Sequence, residues 1–153
     1  MARLTIWGVE GIGEISPQDQ LGEIIADACR QAPNGPLLDD DVLVVTQKIV
    51  SKAEGRLVPI DANDPLSHKH LVEQEAVRIV RRRGDLIITE TKHGFICANS
   101  GIDLSNIERG YAALLPIDSD KSARRIRDII RAKHGVNVGV VISDTFGRPW
   151  RKG

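Results

Sequence analysis

Aromatic side chains are scarce in this chain of 153 residues: two Trp, two Phe and one Tyr. That is too few rings for a base-stacking platform and argues against a single-strand nucleic-acid binder. Excess charge is also absent, because 21 Lys and Arg balance 21 Asp and Glu. A neutral chain has no bulk electrostatic pull on nucleic acid or on an anionic membrane. Cysteine is limited to Cys29 and Cys97, which fit neither a disulfide framework nor a zinc site. No apolar run approaches the ~20 residues of a membrane-spanning helix. Met1-Ala2-Arg3 runs directly into a short apolar stretch without a signal-peptide cleavage pattern. These absences predict a cytoplasmic protein with no nucleic acid and no membrane among its partners.

What is present is an ordinary globular balance, 41% hydrophobic and 27% charged, at the length of one domain. Leu4–Val9 reads as a short strand. Ser16-Pro17-Gln18-Asp19 reads as a helix start, with Ser as N-cap, Pro in the first turn and an acid three residues after the cap. Leu21, Ile24, Ile25 and Ala28 continue it at helical spacing until Pro33. Val42–Thr46 reads as a strand buried on both faces and Val138–Ile142 as a buried strand. Asp64-Pro65 predicts a second helix with the stripe Val72, Ala76, Ile79 and Val80, and with Arg78 and Arg81–Arg83 near its C-terminal end. Leu86–Thr89 is a strand. A third helix starts near Ser119, carries Ala123, Ile126, Ile129 and Ile130, and ends at Gly135. The segment 94–115, rich in small polar residues, predicts short strands and loops. The alternation implies an α/β or α+β domain with a mixed β-sheet and packed helices.

Four segments could carry chemistry. Gly8-Val9-Glu10-Gly11-Ile12-Gly13-Glu14 sits before a helix, where backbone N–H groups can approach phosphate. The dinucleotide fingerprint wants a third glycine where Ser16 stands, so a dinucleotide oxidoreductase has weak support, and a flexible turn is the plain alternative. Thr46 through Gly55 places Lys48, Ser51 and Lys52 after a strand, where open sheets put ligands and a lysine can hold a phosphate. Two solvated lysines are the alternative. Asn99-Ser100-Gly101-Ile102-Asp103-Leu104-Ser105-Asn106 surrounds a carboxylate with small polar groups. It suits a hard cation such as Mg²⁺ or Mn²⁺, or simply an Asx turn. Ser143-Asp144-Thr145-Phe146-Gly147-Arg148, at the end of an apolar strand, is the strongest cation candidate. A strand end capped by Asp is its alternative. Ser67-His68-Lys69-His70 resembles a metal tract, but alternate residues point to different faces of a helix, and Cys97 reads as a packing residue, since no partner for nucleophilic catalysis is evident.

Taken together, Val45–Arg56, Ile88–Gly94, Ala98–Asn106 and Ser143–Arg151 resemble, in order and over nearly the whole chain, the coenzyme F420-0:L-glutamate ligase family of γ-glutamyl ligases. The resemblance implies a F420 γ-glutamyl ligase-like α+β fold, a homodimer, and a GTP-dependent reaction with Mg²⁺ or Mn²⁺. The terminal carboxylate of coenzyme F420-0 would become an acyl phosphate, and the amine of L-glutamate would then displace phosphate. It further implies that Ile12, Gly13, Glu14 and Ile15 form a GTP-contacting turn, and that Gln47, Lys52 and Asn106 contact the nucleotide. Asp103 and Asp144 would bind one metal and Thr145 a second; no residue is assigned as a nucleophile. Family chains continue past the Trp150-Arg151 region, so residues 1–153 are expected to be a single ligase-like domain truncated at its C-terminus. The alternative from another functional class is a non-catalytic nucleotide-binding module.

Overall fold

Helix α1 (Leu21–Arg30) buries Leu21, Ile25, Ala26 and Cys29, the face set by its apolar spacing. The computed structural model describes residues 3–34, 36–105 and 107–144. The helix begins later than Ser16 predicts. The Ser16 N–H does bond Asp19 Oδ2 at 2.8 Å, but Gln18 adopts φ 73°, which a helix cannot contain, so the segment is a turn. Strand β1 (Val42–Thr46) runs without a loop into α2 (Gln47–Ala53). Helix α4 (Ser119–His134) is capped by the Asp118 carboxylate on Lys121 N at 2.8 Å and stopped by left-handed Gly135. It leads to β7 (Gly139–Ser143), which pairs with β1 in parallel, Thr46 opposite Ser143.

These elements share one apolar core. Leu43 and Val45 of β1 meet Ile25 and Cys29 of α1, Val50 of α2, and Ile126 and Ile130 of α4. Gly22 permits the close approach of α1 to α4, since a Cβ there would stand 2.6 Å from Ile129 Cδ1. The expectation that β1 is buried on both faces and that β7 is a buried strand is corrected: Val42 and Val44 are 64% and 63% exposed, and Val141 49%. The helices cover only one side of the pair. Leu4–Val9 forms no strand either. Leu4 and Ile6 point into solvent, and an extended segment without a neighbouring strand has no ladder to join.

The second region holds β2 (Leu57–Pro59) antiparallel to β6 (Tyr111–Ala113), and an antiparallel sheet of β3 (Ala76–Arg83), β4 (Leu86–Thr91) and β5 (Ile96–Ala98). Among the described residues the single mixed sheet is thus replaced by three small ones. Short hairpin returns favour local antiparallel pairing, while β1 and β7 meet only through the α4 crossover. The predicted helix over Val72–Val80 is also corrected. Asp64 instead makes a turn, accepting from Leu66 N at 2.9 Å; helix α3 spans only Lys69–Glu75, and Ala76 turns extended. The β-branched Val77, Ile79 and Val80 prefer the strand, and Gly84-Asp85 closes a two-residue hairpin onto β4. Strand β4 follows its prediction, and the short elements in 94–115 do likewise.

Candidate functional site

A cavity of about 470 Å³ opens where the two regions meet. On one side are Thr46, at the C-terminal end of β1, Lys48 on α2 and Asp144 just past β7. Ligands collect at such strand ends in parallel sheets. On the other side are residues of 97–105, among them Cys97, Asn99, Asp103 and Ser105. The carboxylates of Asp103 and Asp144, far apart in the chain, therefore face one space.

Asp103 is fixed from its backbone outward. Its N–H and C=O exchange hydrogen bonds with Ala113 at 3.0 and 2.9 Å, pinning it to the end of β6. Its Oδ2 meets Lys48 Nζ at 2.7 Å, and Oδ1 accepts from both the N–H and hydroxyl of Ser105 at 2.7 Å. Burial alone would raise the Asp103 pKa. The Lys48 ammonium and the two Ser105 donors outweigh it and hold the carboxyl below its ordinary value. Cys97 is shifted the other way: burial pushes its thiol up, and the negative charge of Asp144 adds to the effect. A protonated thiol in that position is a wall rather than a nucleophile.

The wall before Asp103 is unusual backbone. Asn99, Ser100 and Gly101 have φ of 49°, 55° and 70°, a left-handed turn that costs non-glycine residues about 1–3 kcal/mol each. Buried bonds hold it. Ser100 Oγ donates to Val72 O at 2.7 Å and lies 3.0 Å from the Thr89 hydroxyl. A Cβ on Gly101 would stand 2.9 Å from Leu115.

Lys52, one helical turn after Lys48, is buried and paired with Glu14. Glu14 and Gly13 are exposed, whereas Ile15 is buried in the first core with Ile12 against it. That turn does not line the cavity; the Lys52–Glu14 pair ties it to α2. Gln47 is buried too, its amide bonding Ser51 Oγ and, at 3.4 Å, Leu114 O. Asn106 and Thr145 lie outside the described residues. Sequence reasoning set Lys48 beside Ser51 and Lys52 as a phosphate-holding candidate, while the resemblance assigned a nucleotide contact only to Lys52. Their i, i+4 spacing puts both lysines on one face of a helix that starts at a strand end, yet Lys48 is the one that lines the cavity.

Apart from the Cys97 thiol, which burial keeps protonated, the side chains of the cavity able to ligate a cation carry oxygens, among them Thr46, Asp103, Ser105 and Asp144, which suits a hard divalent cation. Among the described residues no three His, Cys, Asp or Glu side chains gather as a metal cage. Asp103 and Asp144 would thus supply the protein's share, with water and phosphate oxygens completing the shell, the usual way Mg²⁺ is held beside a nucleotide. Among the described residues no helix is long and apolar enough to cross a membrane.

Helix–strand layering around an oxygen-lined cavity at a strand end defines a class of domain suited to phosphorylated ligands. A family model described as F420-0:Gamma-glutamyl ligase matches residues 11–153, and the chain belongs to that family. It is similar to proteins named coenzyme F420:L-glutamate ligase. The Methanopyrus kandleri protein is 42% identical over 92% of this chain and 59% of its own length. The Methanothermobacter thermautotrophicus protein is 37% identical over 98% and 65%, and the Methanococcus maripaludis protein 44% over 77% and 53%. The chain therefore spans little more than half to two thirds of these curated relatives.

Proposed function

We propose that this chain carries the nucleotide and metal half of a GTP-dependent ligase that joins L-glutamate to coenzyme F420-0 in F420 biosynthesis. The observation that carries the reading is the convergence of Asp103 and Asp144 on one cavity beside Lys48. It agrees with the names of the relatives. A Mg²⁺ or Mn²⁺ ion held by Asp103 and Asp144 would neutralise phosphate charge and polarise the γ-phosphoryl group. Lys48, which lines the cavity, would meet phosphate oxygens by exchanging Asp103 for the nucleotide, and Lys52, on the same helix but outside the lining, would join it only by leaving Glu14. An acceptor carboxylate oxygen takes the γ-phosphoryl group and GDP leaves. The amine of L-glutamate then attacks the carbonyl carbon, phosphate leaves with the C–O bond, and the amine loses a proton as the amide forms. Neither step needs a protein nucleophile; positioning and charge neutralisation suffice. Thr145 as a second metal ligand and Asn106 as a nucleotide contact belong to the same proposal, as does a cytoplasmic homodimer.

The test is calorimetry of GDP with Mn²⁺ on the chain, repeated with Asp144→Ala. Saturable binding that the substitution weakens at least tenfold supports the reading. Absence of binding by the folded chain, or an unchanged affinity in Asp144→Ala, refutes it. Incubation of the chain with GTP, Mn²⁺, L-glutamate and coenzyme F420-0 separates the catalytic from the binding-only form, because product excludes a mere module.

A further inference from the structure

The arginines of β3 are sorted by the backbone into two groups. Paired residues of an antiparallel sheet share a face, so Ile79, Thr89 and Cys97 form one rung on the inner face, where Thr89 and Cys97 are buried. Strict alternation would send Arg81 and Arg83 to that same inner side. A register shift between Ile79 and Arg81 re-phases the strand. Arg82 now pairs with buried Ile87 and reaches Glu73 of α3 at 2.6 Å. Arg81 and Arg83 pair with Ile88 and Leu86 on the outer face. Arg78, on the outer face as well, is neutralised by Glu90 at 2.5 Å. Among the described residues no carboxylate pairs with Arg81 or Arg83, and both are exposed.

The outer face also carries an apolar strip. Leu86 is 44% and Ile96 54% exposed, with Ile88 between them. Arg81, Ile88 and Ala98 form one continuous rung across the three strands, with steps of about 5 Å, and Ala98 lines the cavity. The Arg81 side chain, able to extend along the rung, is thus within about two strand spacings of the cavity wall.

We propose that this outer face holds the part of the carboxylate-bearing acceptor that trails away from the reacting carboxylate at the cavity, with Arg81 and Arg83 on its further anionic groups and Leu86, Ile88 and Ile96 under its apolar part. This rests on the ligase reading above and deepens it. The occupant follows from charge and size. A ligase that adds glutamate works on acceptors and products rich in carboxylates, which guanidinium groups bind in a fork. Three strands of at most six or so paired residues make a face of roughly 10 by 20 Å. That is about 200 Å², the footprint of a small molecule and well below the ~800 Å² per partner of a stable protein interface.

The test uses the chain as it stands and a fluorescent γ-linked tri-glutamate as probe, followed by anisotropy at low and high salt. Binding should weaken at least tenfold in Arg81→Gln/Arg83→Gln and partly recover in Arg81→Lys/Arg83→Lys. The matched pair Arg124→Gln/Arg131→Gln on α4 should bind as the parent does. Thermal melts verify that each variant is folded. GDP affinity with Mn²⁺, measured on the same samples, should not change. Equal probe binding by parent and Arg81→Gln/Arg83→Gln overturns the proposal, as does absence of probe binding by the parent. Loss of self-association in place of probe affinity, seen by sedimentation velocity, overturns it as well. Failure of GDP binding with probe binding intact instead removes the ligase reading and leaves the anion face standing.

Discussion

The two regions that meet at the cavity are held together by different physics. Around β1 and β7 the interior is apolar and continuous, built from Leu43, Val45, Ile25, Val50, Ile126 and Ile130, with Val140 and Ile142 against them, across three helices and a strand pair. Around β4 and β6 the apolar cluster reduces to Leu71, Ala112 and Leu114. There the interior is completed by satisfied polar groups. Thr89, Thr91 and Ser100 are buried, and Arg56 bonds Leu115 O at 2.9 Å and Glu75 at 2.7 Å. The first region gains stability from area removed from water. The second gains a definite shape from directional bonds, and that is the region which places Asp103.

The contrast is tested most strongly by one truncation on each side. Ile130 is fully buried, and Ile130→Ala should cost about 2–5 kcal/mol, read as a lower urea midpoint with an unchanged slope. Ser100→Ala should cost about 1–3 kcal/mol, because Val72 O loses its donor and the Thr89 hydroxyl loses a neighbour in a buried setting. The two should differ in function in the opposite sense. Ile130→Ala should leave GDP affinity unchanged below its melt. Ser100→Ala should weaken it several-fold by loosening the left-handed turn before Asp103. If Ile130→Ala disturbs the nucleotide and Ser100→Ala does not, the division between the regions is wrong.

The same division explains what could be read from the residues alone. Strand β1 and helix α4 are legible because apolar period, C-cap and length agree: the start near Ser119, the stripe at Ile126 and Ile130, and Gly135 all favour one answer. The hairpin β3–β4 was obscured because Val72, Ala76, Ile79 and Val80 also fit a helical stripe. What decides it is pairing with β4 and the Gly84-Asp85 turn, and the tertiary partner overrides the local period. Exposure of Val42 and Val44 could not be read, since an apolar run looks the same whether one face or two are covered. At the site, Asp103 and Asp144 stand out as acids among small polar residues or at a strand end. Their meeting in one cavity depends on α4 bringing β7 beside β1, which no local motif encodes. Gln47 is the reverse case, an exposed-looking polar residue whose amide is used by Ser51 and Leu114.

A finer comparison is available within α2. Lys48 is paired to an acid that lines the cavity, Lys52 to Glu14, an acid on a turn outside it. Lys48→Gln should therefore tighten Mn²⁺ binding in the absence of nucleotide by up to about fivefold, the equivalent of the ~1 kcal/mol such partly exposed pairs are worth, because Asp103 loses its competing cation. Lys52→Gln should leave Mn²⁺ binding alone. Both should weaken GDP. Equal Mn²⁺ affinities in the two variants would mean that Asp103 is no part of the cation site.

The smallest expected effect is on acid stability, and its sign is set by Asp103. Its folded carboxyl lies below the ordinary value of 3.8 despite burial, because Lys48 and Ser105 favour the ionised form. A depressed folded pKa means that the pair contributes stability in full above about pH 4 and loses it as pH falls through the depressed value. Asp103→Asn removes the titration but keeps the shape. The stability difference between parent and Asp103→Asn should hence stay flat from neutral pH down to about pH 4 and shrink below it. Added salt should reduce the flat part only modestly, since the pair is partly buried. A difference that grew on acidification would require the opposite shift, with burial outweighing Lys48. Asp103 would then enter the cavity as a protonated acid, unable to hold a cation without first losing that proton.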